Sequence, residues 1–419
     1  MRRVVIALVL FPLLVTGCAI YTINTWRNEP LKGEDCSAPI AASDVVTSKE
    51  LESRWDGLFF GIAMSGGGSR AANFSAAVLQ ELDEVGLLEH VTALSSVSGS
   101  SLTAAYYGLF RKDGERWRSE QVRKVIAKNY EARWMGSWLL PWNIARYWTT
   151  NFSRSDIMER VLDSNLFSKR KFRDMPTDGP RILINATSFT TGERFVFSCE
   201  KFRDDLRSRL STLPVSHAVM ASGAFPFAFH DVTLRNNRIS KQQHYEHLFD
   251  GGPADNLGIM TLLDMVRGLY KESKGQLPRG CVLMIVDAYT YQELPQRVLE
   301  VDTRKPWDFI FDTNVIGSSD VLLSTRRIDL LRRVGIDVGA RQVKPYVREA
   351  QVEEGPKCVV WDLTFQRLLS NDLAGKSSLP RQVGLVVNAI PTRYQLTGVE
   401  PYKPETLQDY IYAAARILV

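Results

Sequence analysis

The sequence predicts an α/β protein, in which a β-sheet carries helices on both faces. Two observations predict this class. From residue 57 onward, short apolar runs alternate along the chain with longer segments in which apolar residues recur at helical spacing. The composition, 45% hydrophobic and 24% charged, is also ordinary for a globular protein. The 419 residues are enough for one large domain or for two to three small ones.

The first part of this pattern contains two predicted strands and two predicted helices. LFFGIAM (58–64) and VTALSSV (91–97) are the predicted buried strands. Between them, AANFSAAVLQELDEVG places apolar residues at helical spacing and has Gly86 near its end, which predicts a helix. GSSLTAAYYGLF (99–110) predicts a second helix directly after the second strand.

Further strands and a helix follow in the second part. RILINATSF and ERFVFS, joined by TTG, predict a hairpin. EHLFD (246–250) and CVLMIVDAY (281–289) are two more predicted strands. The segment between them, NLGIMTLLDMVRGLYKES, has helical periodicity. Strands that alternate with helices in this way favour a sheet covered on both faces.

The N-terminus has the pattern of a secretory signal. Two arginines precede an apolar run from Val4 to Val15, which is short for a membrane span, and small residues follow. The ending LVTGC resembles a bacterial lipobox, in which the cysteine, here Cys18, becomes the lipidated first residue. Ala19 follows it, and by resemblance to enterobacterial lipoproteins this favours the outer membrane. A plain signal peptide or an uncleaved anchor is the alternative.

These features divide the chain into three predicted parts. Residues 1–17 are a lipoprotein signal peptide, and residues 18–56 are a polar membrane tether with a first docking segment. Residues 57–419 are predicted to form the main domain. The net charge of +5 is mild and is not typical of a dedicated nucleic-acid-binding protein.

Four cysteines follow Cys18, and an even number allows one or two disulfides in an oxidising compartment. They are Cys36, Cys199, Cys281 and Cys358. Cys281 opens an apolar run, which favours a small buried hydrophobic residue instead. No spacing of cysteine and histidine predicts a metal site.

A glycine-rich turn follows the first predicted strand. Gly66, Gly67 and Gly68 lie where that strand ends and a helix begins, so their backbone N–H groups form a potential anion site. Arg70 falls in the first helical turn, where the helix dipole disfavours a cation, and this favours pairing with a phosphate or carboxylate. A glycine-rich turn with a solvated arginine is an equally good interpretation of this stretch alone. The turn lacks the Lys-Ser/Thr ending of a P-loop.

Ser98 has the position of a nucleophile elbow, at the end of a buried strand and before a helix. The usual G-x-S-x-G pattern has serine at both outer positions here, Ser96 and Ser100. Alone, this match is weak, and a serine-rich turn explains it as well. A glycine-rich loop upstream strengthens it, because the two together supply a nucleophile and N–H donors for an oxyanion.

The base for Ser98 is predicted to be an aspartate. No histidine lies late in the chain, where an α/β-hydrolase would have one. The histidines are 90, 217, 230, 244 and 247. Asp250 ends a predicted strand and precedes two glycines, and burial can raise the pKa of such a carboxyl toward the working pH. A turn aspartate that caps a helix is the alternative.

Four segments, in order, resemble the patatin-like phospholipase family. SGGGSR matches its oxyanion motif G-G-G-x-R/K, and SVSGS resembles its nucleophile motif. VMASGAFPFAF (219–229) resembles its A-S-x-A-x-P segment, and DGGPADNLGI matches its D-G-G/A-x-x-D-N block. The run SGGGSRA is closest to the eukaryotic cytosolic phospholipases of that superfamily. The resemblance is clear over residues 57–290, and it implies a three-layer fold with a central mixed sheet and a serine nucleophile on a strand–turn–helix elbow.

The resemblance also implies a chemistry. Members of the family hydrolyse acyl esters of phospholipids and related lipids with a Ser–Asp dyad and without a metal or cofactor. Ser98 would be the nucleophile and Asp250 the base. The N–H groups of Gly66–Gly68 would hold the oxyanion, and Arg70 would lie near the lipid phosphate. Ser96 stands where the family has glycine, and its Cβ adds crowding at the elbow.

A tryptophan-rich segment is predicted to form a cap over residues 111–165. Its tryptophans, which are mixed with lysines and arginines, are 117, 134, 138, 142 and 148. Tryptophan and basic residues together suit a membrane interface. A helical cap whose tryptophans are simply packed is the competing interpretation.

The sequence as a whole predicts a lipid acyl hydrolase of phospholipase or lysophospholipase type, anchored through Cys18 in the bacterial cell envelope and facing the periplasm. Its expected partners are a phospholipid or another acyl lipid and a membrane surface, but not a nucleic acid. Three alternatives stay open: an esterase or thioesterase, an acyltransferase, and a lipid-binding lipoprotein without catalysis.

Overall fold

The structure is a computed structural model. It describes residues 23–33, 41–111, 117, 119–226, 228–238, 244–290, 314–336, 347–370, 373, 377–397 and 401–419. Cys18 and the whole predicted signal peptide lie outside these residues.

The described strands are β1 (Glu29–Pro30), β2 (Phe59–Met64), β3 (Ala93–Val97), β4 (Arg181–Ser188), β5 (Arg194–Val196), β6 (Ser208–Arg209), β7 (Val232–Asn236), β8 (His244–Asp250), β9 (Cys281–Asp287), β10 (Val347–Gln351) and β11 (Lys357–Thr364). Nine of them form one sheet in the order β10-β11-β9-β2-β3-β4-β8-β7, with β5 paired to β4 beside this path. The central strands β11, β9, β2, β3 and β4 are parallel. Strands β10, β8, β7 and β5 are antiparallel to their neighbours, so the sheet is mixed.

The described helices are α1 (Ser48–Trp55), α2 (Gly68–Glu84), α3 (Gly99–Phe110), α4 (Ser119–Ile126), α5 (Tyr130–Trp138), α6 (Pro141–Thr149), α7 (Arg154–Leu162), α8 (Cys199–Leu206), α9 (Val215–Ser222), α10 (Gly252–Asp255), α11 (Ile259–Glu272), α12 (Asn314–Arg333), α13 (Ser378–Val387), α14 (Tyr394–Thr397) and α15 (Pro404–Leu418). Within the described ranges, none of them combines the length and the apolar character that crossing a bilayer requires.

Both faces of the sheet are covered, as the alternation of elements predicts. Side chains on β2 alternate between two apolar cores, because successive residues of a strand point to opposite faces. Phe60 and Ile62 pack with residues of α2, α3 and α15. Phe59 and Ala63 pack with residues of α1, α11 and the C-terminal part of α12. The fold is therefore three-layered, and the predicted strands, the hairpin of β4 with β5, and the predicted helices after β2 and β3 are confirmed.

The described part of the predicted tether packs against the domain. β1 pairs with β6, and the carbonyl groups of Ala41 and Ala42 accept hydrogen bonds from Ile182 and Cys199. In α1, Leu51 and Trp55 are buried. These described segments between residues 23 and 56 therefore pack against the rest of the fold.

Cys281 and Cys358 form a disulfide. They stand opposite each other on the adjacent parallel strands β9 and β11, with Cα atoms 4.8 Å apart. The prediction that Cys281 is only a small buried hydrophobic residue is wrong, although the residue is buried. The pairing follows from strand order, which brings together residues 77 positions apart. Cys199 is also disulfide-bonded, and Cys36 lies outside the described residues.

Candidate active site

Ser98 lies in the turn between β3, which ends at Val97, and α3, which begins at Gly99. Its backbone has φ 52° and ψ −122°, a strained conformation for a residue with a Cβ. Such a turn is typical of a nucleophile elbow, since it lifts the side chain off the end of the strand. The local geometry thus has the form that the sequence pattern predicts.

Sheet register brings Asp250 to this turn. Val97 on β3 stands opposite Asn185 on β4, and the next residue of β4, Ala186, stands opposite Asp250 on β8. Ser98 and Asp250 therefore flank the same part of β4 from two sides. Ser98 Oγ donates a hydrogen bond of 2.7 Å to Oδ2 of Asp250.

Asp250 is buried, with 4% of its surface exposed. Its Oδ1 accepts a hydrogen bond of 2.8 Å from the Gly252 N–H, which fixes the carboxylate. Burial raises the pKa of Asp250 from 3.8 to about 6, while the hydrogen bonds from Gly252 and Ser98 act in the opposite direction. A carboxyl group with this pKa is ionised at neutral pH and is a better proton acceptor than an exposed aspartate.

The glycine turn lies beside the elbow. The N–H of Gly66 donates to the carbonyl of Asn256 at 2.9 Å, so Gly66 is not available as an oxyanion donor and that expectation is corrected. Neither the Gly67 N–H nor the Gly68 N–H has an acceptor among the described residues. Gly67 has φ 137° and Gly68 has φ 57°, conformations that glycine adopts without strain. These two N–H groups can therefore serve an external acceptor.

Contact between the turn and the elbow depends on Gly99. A Cβ on Gly99 would lie 2.0 Å from the carbonyl oxygen of Gly68, so only glycine allows this approach. A Cβ on Gly66 would lie 3.5 Å from the Cβ of Ser98. The glycine turn and the Ser98 turn are thus held against each other by backbone packing.

A protein-family model matches the part of the chain that contains this arrangement. The model described as patatin-like phospholipase matches residues 62–263, which include the glycine turn, Ser98 and Asp250. Residues 62–263 form a patatin-like phospholipase domain. The matched residues make up slightly less than half of the 419-residue chain.

A solved structure shares the fold of this chain. Human GIVD cytosolic phospholipase A2 superposes with a TM-score of 0.50 at 13% identity, over 94% of this chain and 66% of that chain. Its complex with the inhibitor methyl gamma-linolenyl fluorophosphonate and terbium chloride gives 0.45 at 14% identity, over 94% and 64%. This chain thus spans slightly less than two thirds of the human protein. VipD from Legionella pneumophila gives a TM-score of 0.27 at 16% identity, over 57% and 51%. No curated protein sequence matches the chain.

Arg70 of the patatin-like domain is buried, with 5% of its surface exposed. One guanidinium nitrogen donates to Thr290 Oγ1 at 3.1 Å and to the carbonyl of Ile390 at 2.5 Å. These contacts tie the first turn of α2 to distant parts of the chain. The predicted contact of Arg70 with a lipid phosphate stays a prediction.

Ser222 is a site residue that the sequence did not single out. Its Oγ accepts a hydrogen bond of 2.8 Å from the Ser98 N–H and donates one of 2.6 Å to the carbonyl of Asn185. It therefore anchors the strained nucleophile backbone to β4. The signal was present in the segment VMASGAFPFAF, which resembles a family motif but carries no obvious catalytic group.

Ser96 belongs to the same group of buried hydroxyls. Its Oγ donates to the carbonyl of Leu183 at 3.2 Å and accepts from Ser101 Oγ at 3.1 Å. Ser101 Oγ also lies 2.9 Å from Ser222 Oγ. The hydroxyl that replaces the family's glycine is thus accommodated by hydrogen bonds behind the elbow.

The histidines lie away from Ser98. His217 is buried and pairs with Glu159 at 2.9 Å, and His247 pairs with Asp231 at 2.6 Å. Within the described ranges, the hydrogen bond from Ser98 Oγ goes to Asp250 and to no histidine. No group of three metal-ligating side chains occurs there either.

Proposed function

We propose that this chain is a membrane-tethered lipid acyl hydrolase that cleaves carboxylic esters of lipids with a Ser98–Asp250 dyad. The hydrogen bond of 2.7 Å between Ser98 Oγ and Asp250 Oδ2 carries the proposal. It supports the chemistry because the carboxylate can take the hydroxyl proton directly as the serine attacks. The strained elbow and the unengaged N–H groups of Gly67 and Gly68 support the same function.

The first half-reaction forms an acyl-enzyme. Ser98 Oγ bonds to the ester carbonyl carbon while its proton moves to Asp250 Oδ2. The carbonyl oxygen becomes an oxyanion and accepts hydrogen bonds from the N–H groups of Gly67 and Gly68. The tetrahedral intermediate then collapses. The bond to the alcohol breaks, and the alcohol, for example a lysolipid, leaves with the proton from Asp250.

The second half-reaction releases the fatty acid. A water molecule attacks the acyl carbon and gives one proton to Asp250. A second tetrahedral intermediate collapses, the Ser98 Oγ–acyl bond breaks, and Ser98 takes the proton back from Asp250. An alcohol in place of the water would give acyl transfer, so the identity of the products separates a hydrolase from an acyltransferase.

Location in the cell envelope is part of the proposal. A lipid anchor on Cys18 would hold the catalytic domain at a membrane surface, on the periplasmic side of the outer membrane. The disulfide between Cys281 and Cys358 supports an oxidising compartment. The test is mass spectrometry of the N-terminal peptide of the native protein. A diacylated Cys18 supports the anchor, and a mature chain that starts elsewhere contradicts it.

Covalent labelling tests the dyad most directly. A fluorophosphonate probe should label the wild-type chain, and vesicles of phosphatidylcholine and phosphatidylglycerol should release fatty acid. Ser98→Ala and Asp250→Asn should each lower the rate at least about a thousandfold, with the double variant no worse than either single variant, because the two groups act as a unit. The matched controls are Ser53→Ala and Asp204→Asn, both at exposed positions. Substantial activity in Asp250→Asn would overturn the dyad.

A further inference from the structure

The cap exposes an unusual number of large apolar side chains. On α5, α6 and their connection, Leu139 is 71% exposed, Trp142 is 61% exposed and Trp148 is 55% exposed. Met135 and Ile144 are also exposed. We call these five residues the cap face. Exposed large apolar side chains concentrated on one segment are typical of an interaction site.

Helix α6 is held to the protein by one narrow side. Asn143 is buried and donates from Nδ2 to the carbonyl of Ser137 at 2.8 Å. One turn later, Tyr147 is half-buried and lies 3.4 Å from His230 Nε2. The remaining sides of α6 carry both exposed tryptophans. Packing among the described residues therefore does not account for these rings. Trp117 of the same predicted segment is buried, as a packed cap would require.

The exposed charged residues of the cap segment itself have one sign. Between residues 128 and 160, four charged residues are exposed, and all of them are basic. They are Lys128, Arg133, Arg146 and Arg160. The acidic residues in this stretch are Glu131, Asp156 and Glu159, and each is half-buried or buried. The surface therefore presents cations next to tryptophan rings.

Two of these cations converge on one ring. The Arg160 guanidinium lies 4.5 Å from the centre of the Phe152 ring, and the Arg146 guanidinium lies 5.7 Å from it. Neither has a carboxylate within 4.0 Å among the described residues. Arg146 also lies four residues after Trp142, on the same side of α6. Asp156 and Glu159 act on Arg160 electrostatically without a direct ion pair. Two neighbouring guanidinium groups that make no direct ion pair are suited to bind a phosphate.

We propose that the cap face, together with Arg146 and Arg160, is the surface that docks onto a bilayer containing anionic phospholipid. The tryptophan rings enter the headgroup region, and the two arginines bind lipid phosphates. This rests on the proposed function, since a lipid hydrolase must reach a substrate in a membrane, and it names the surface that does so.

Packing connects the docking surface to the nucleophile. Trp134 on α5 contacts Phe229 at a ring distance of 4.9 Å. Two residues earlier in the same segment contact the candidate site. The carbonyl of Ala224 accepts a hydrogen bond from the Asp250 N–H, and the Oγ of Ser222 accepts one from the Ser98 N–H.

Quenching of tryptophan fluorescence by brominated lipid chains tests the surface. The full-length chain is reconstituted into vesicles of equal parts phosphatidylcholine and phosphatidylglycerol with brominated chains. We expect strong quenching in the wild type and loss of most of it in the double variant Trp142→Phe/Trp148→Phe. The control variant Trp55→Phe/Trp361→Phe, at positions that are not exposed, should keep it. Unchanged quenching in the first variant would overturn the proposal.

A second comparison tests the arginines. Arg146→Gln/Arg160→Gln should lose quenching on the mixed vesicles and fall to the wild-type level on pure phosphatidylcholine, since basic residues contribute to binding only where the surface is anionic. The control is Arg332→Gln/Lys357→Gln, two exposed cations on other elements. If Arg146→Gln/Arg160→Gln is quenched like the control, the phosphate contact is wrong.

Failure of docking and failure of the hydrolase can be told apart. Trp142→Ala/Trp148→Ala should lower fatty acid release from vesicles about tenfold while hydrolysis of a soluble short-chain ester stays unchanged. A chain without hydrolase activity would still give the quenching result. Sedimentation of the wild type and the variant in detergent tests whether a second copy of the chain binds the cap face instead of a membrane. A dimer that the two substitutions abolish would assign the face to a second copy of the chain and overturn membrane docking.

Discussion

Ser98 follows β3 and Asp250 ends β8, two strands that do not pair with each other, yet the two side chains share a hydrogen bond of 2.7 Å. β3 and β8 lie on either side of β4, and both end at the level of Asn185 and Ala186. The strand between them therefore sets the spacing of the dyad. Any change that alters the register of β4 is expected to separate nucleophile and base.

The pKa of Asp250 predicts the pH dependence of the reaction. Burial raises this pKa to about 6, and the base must be ionised to accept the Ser98 proton. We expect kcat/KM on a soluble ester to rise about tenfold per pH unit below pH 6 and to level off above it. A pH profile with melting temperatures recorded at each pH checks this. A profile that rises only at pH values well above neutral would contradict aspartate as the base.

The same shift has a consequence for folding. Because burial raises the pKa of Asp250 from 3.8 to about 6, the protonated form fits the folded state better than the charged form. The contribution of Asp250 to the free energy of unfolding is therefore largest below pH 3.8 and is lost as pH rises through about 6. Asp250→Asn should thus be no less stable than wild type at pH 8, as measured by urea unfolding. Marked destabilisation of this variant would show that the charged form is favoured.

Ser222→Ala should lower kcat about tenfold or more with little change in KM, because the N–H of the strained Ser98 loses its acceptor. A buried donor without a partner also costs about 1–3 kcal/mol of unfolding free energy. Ser216→Ala, on the same helix, is the control. It removes a hydroxyl that bonds to Asp163, away from the elbow, and should affect stability but not kcat. Ser222→Thr keeps a hydroxyl and should restore much of the rate. Equal losses in kcat for Ser216→Ala and Ser222→Ala would show that Ser222 has only a structural role.

Ser96→Gly should keep its activity while losing stability. The substitution restores the small residue that the elbow usually has, but it removes a hydroxyl bonded to Leu183 and Ser101. Glycine inside a strand also costs about 0.5–1 kcal/mol. We expect unchanged kcat and a lower melting temperature. A large loss of kcat at unchanged melting temperature would give the Ser96 hydroxyl a direct part in the reaction.

Gly99→Ala should abolish activity, because its Cβ would come within 2.0 Å of the Gly68 carbonyl and push the oxyanion turn away from Ser98. Gly268→Ala, inside α11 and with open space around it, is the matched control. It should retain activity and stabilise the chain by up to about 1 kcal/mol. Fluorophosphonate labelling together with thermal unfolding checks both. Normal labelling of Gly99→Ala would show that the turn can move without loss of function.

Much of the candidate site could be predicted from the sequence alone. Ser98 and Asp250 were found because each ends an apolar run and is followed by small residues, a pattern that depends only on neighbours in the chain. Strands β2, β3, β4 and β9 and the helices after β2 and β3 were predicted for the same reason. Periodicity and turn residues are local signals, so they can be recognised without knowledge of the fold.

Only the tertiary structure decided which distant groups meet. The disulfide between Cys281 and Cys358, the Ser222 hydroxyl beneath Ser98, and the use of the Gly66 N–H by Asn256 all join segments that strand order brings together. The sequence likewise did not determine that Trp142 and Trp148 are exposed while Trp117 is buried. An aromatic residue can be packed or exposed at the same helical spacing. Which of the two occurs depends on whether another element covers that side of the helix, and this is a property of the assembled chain.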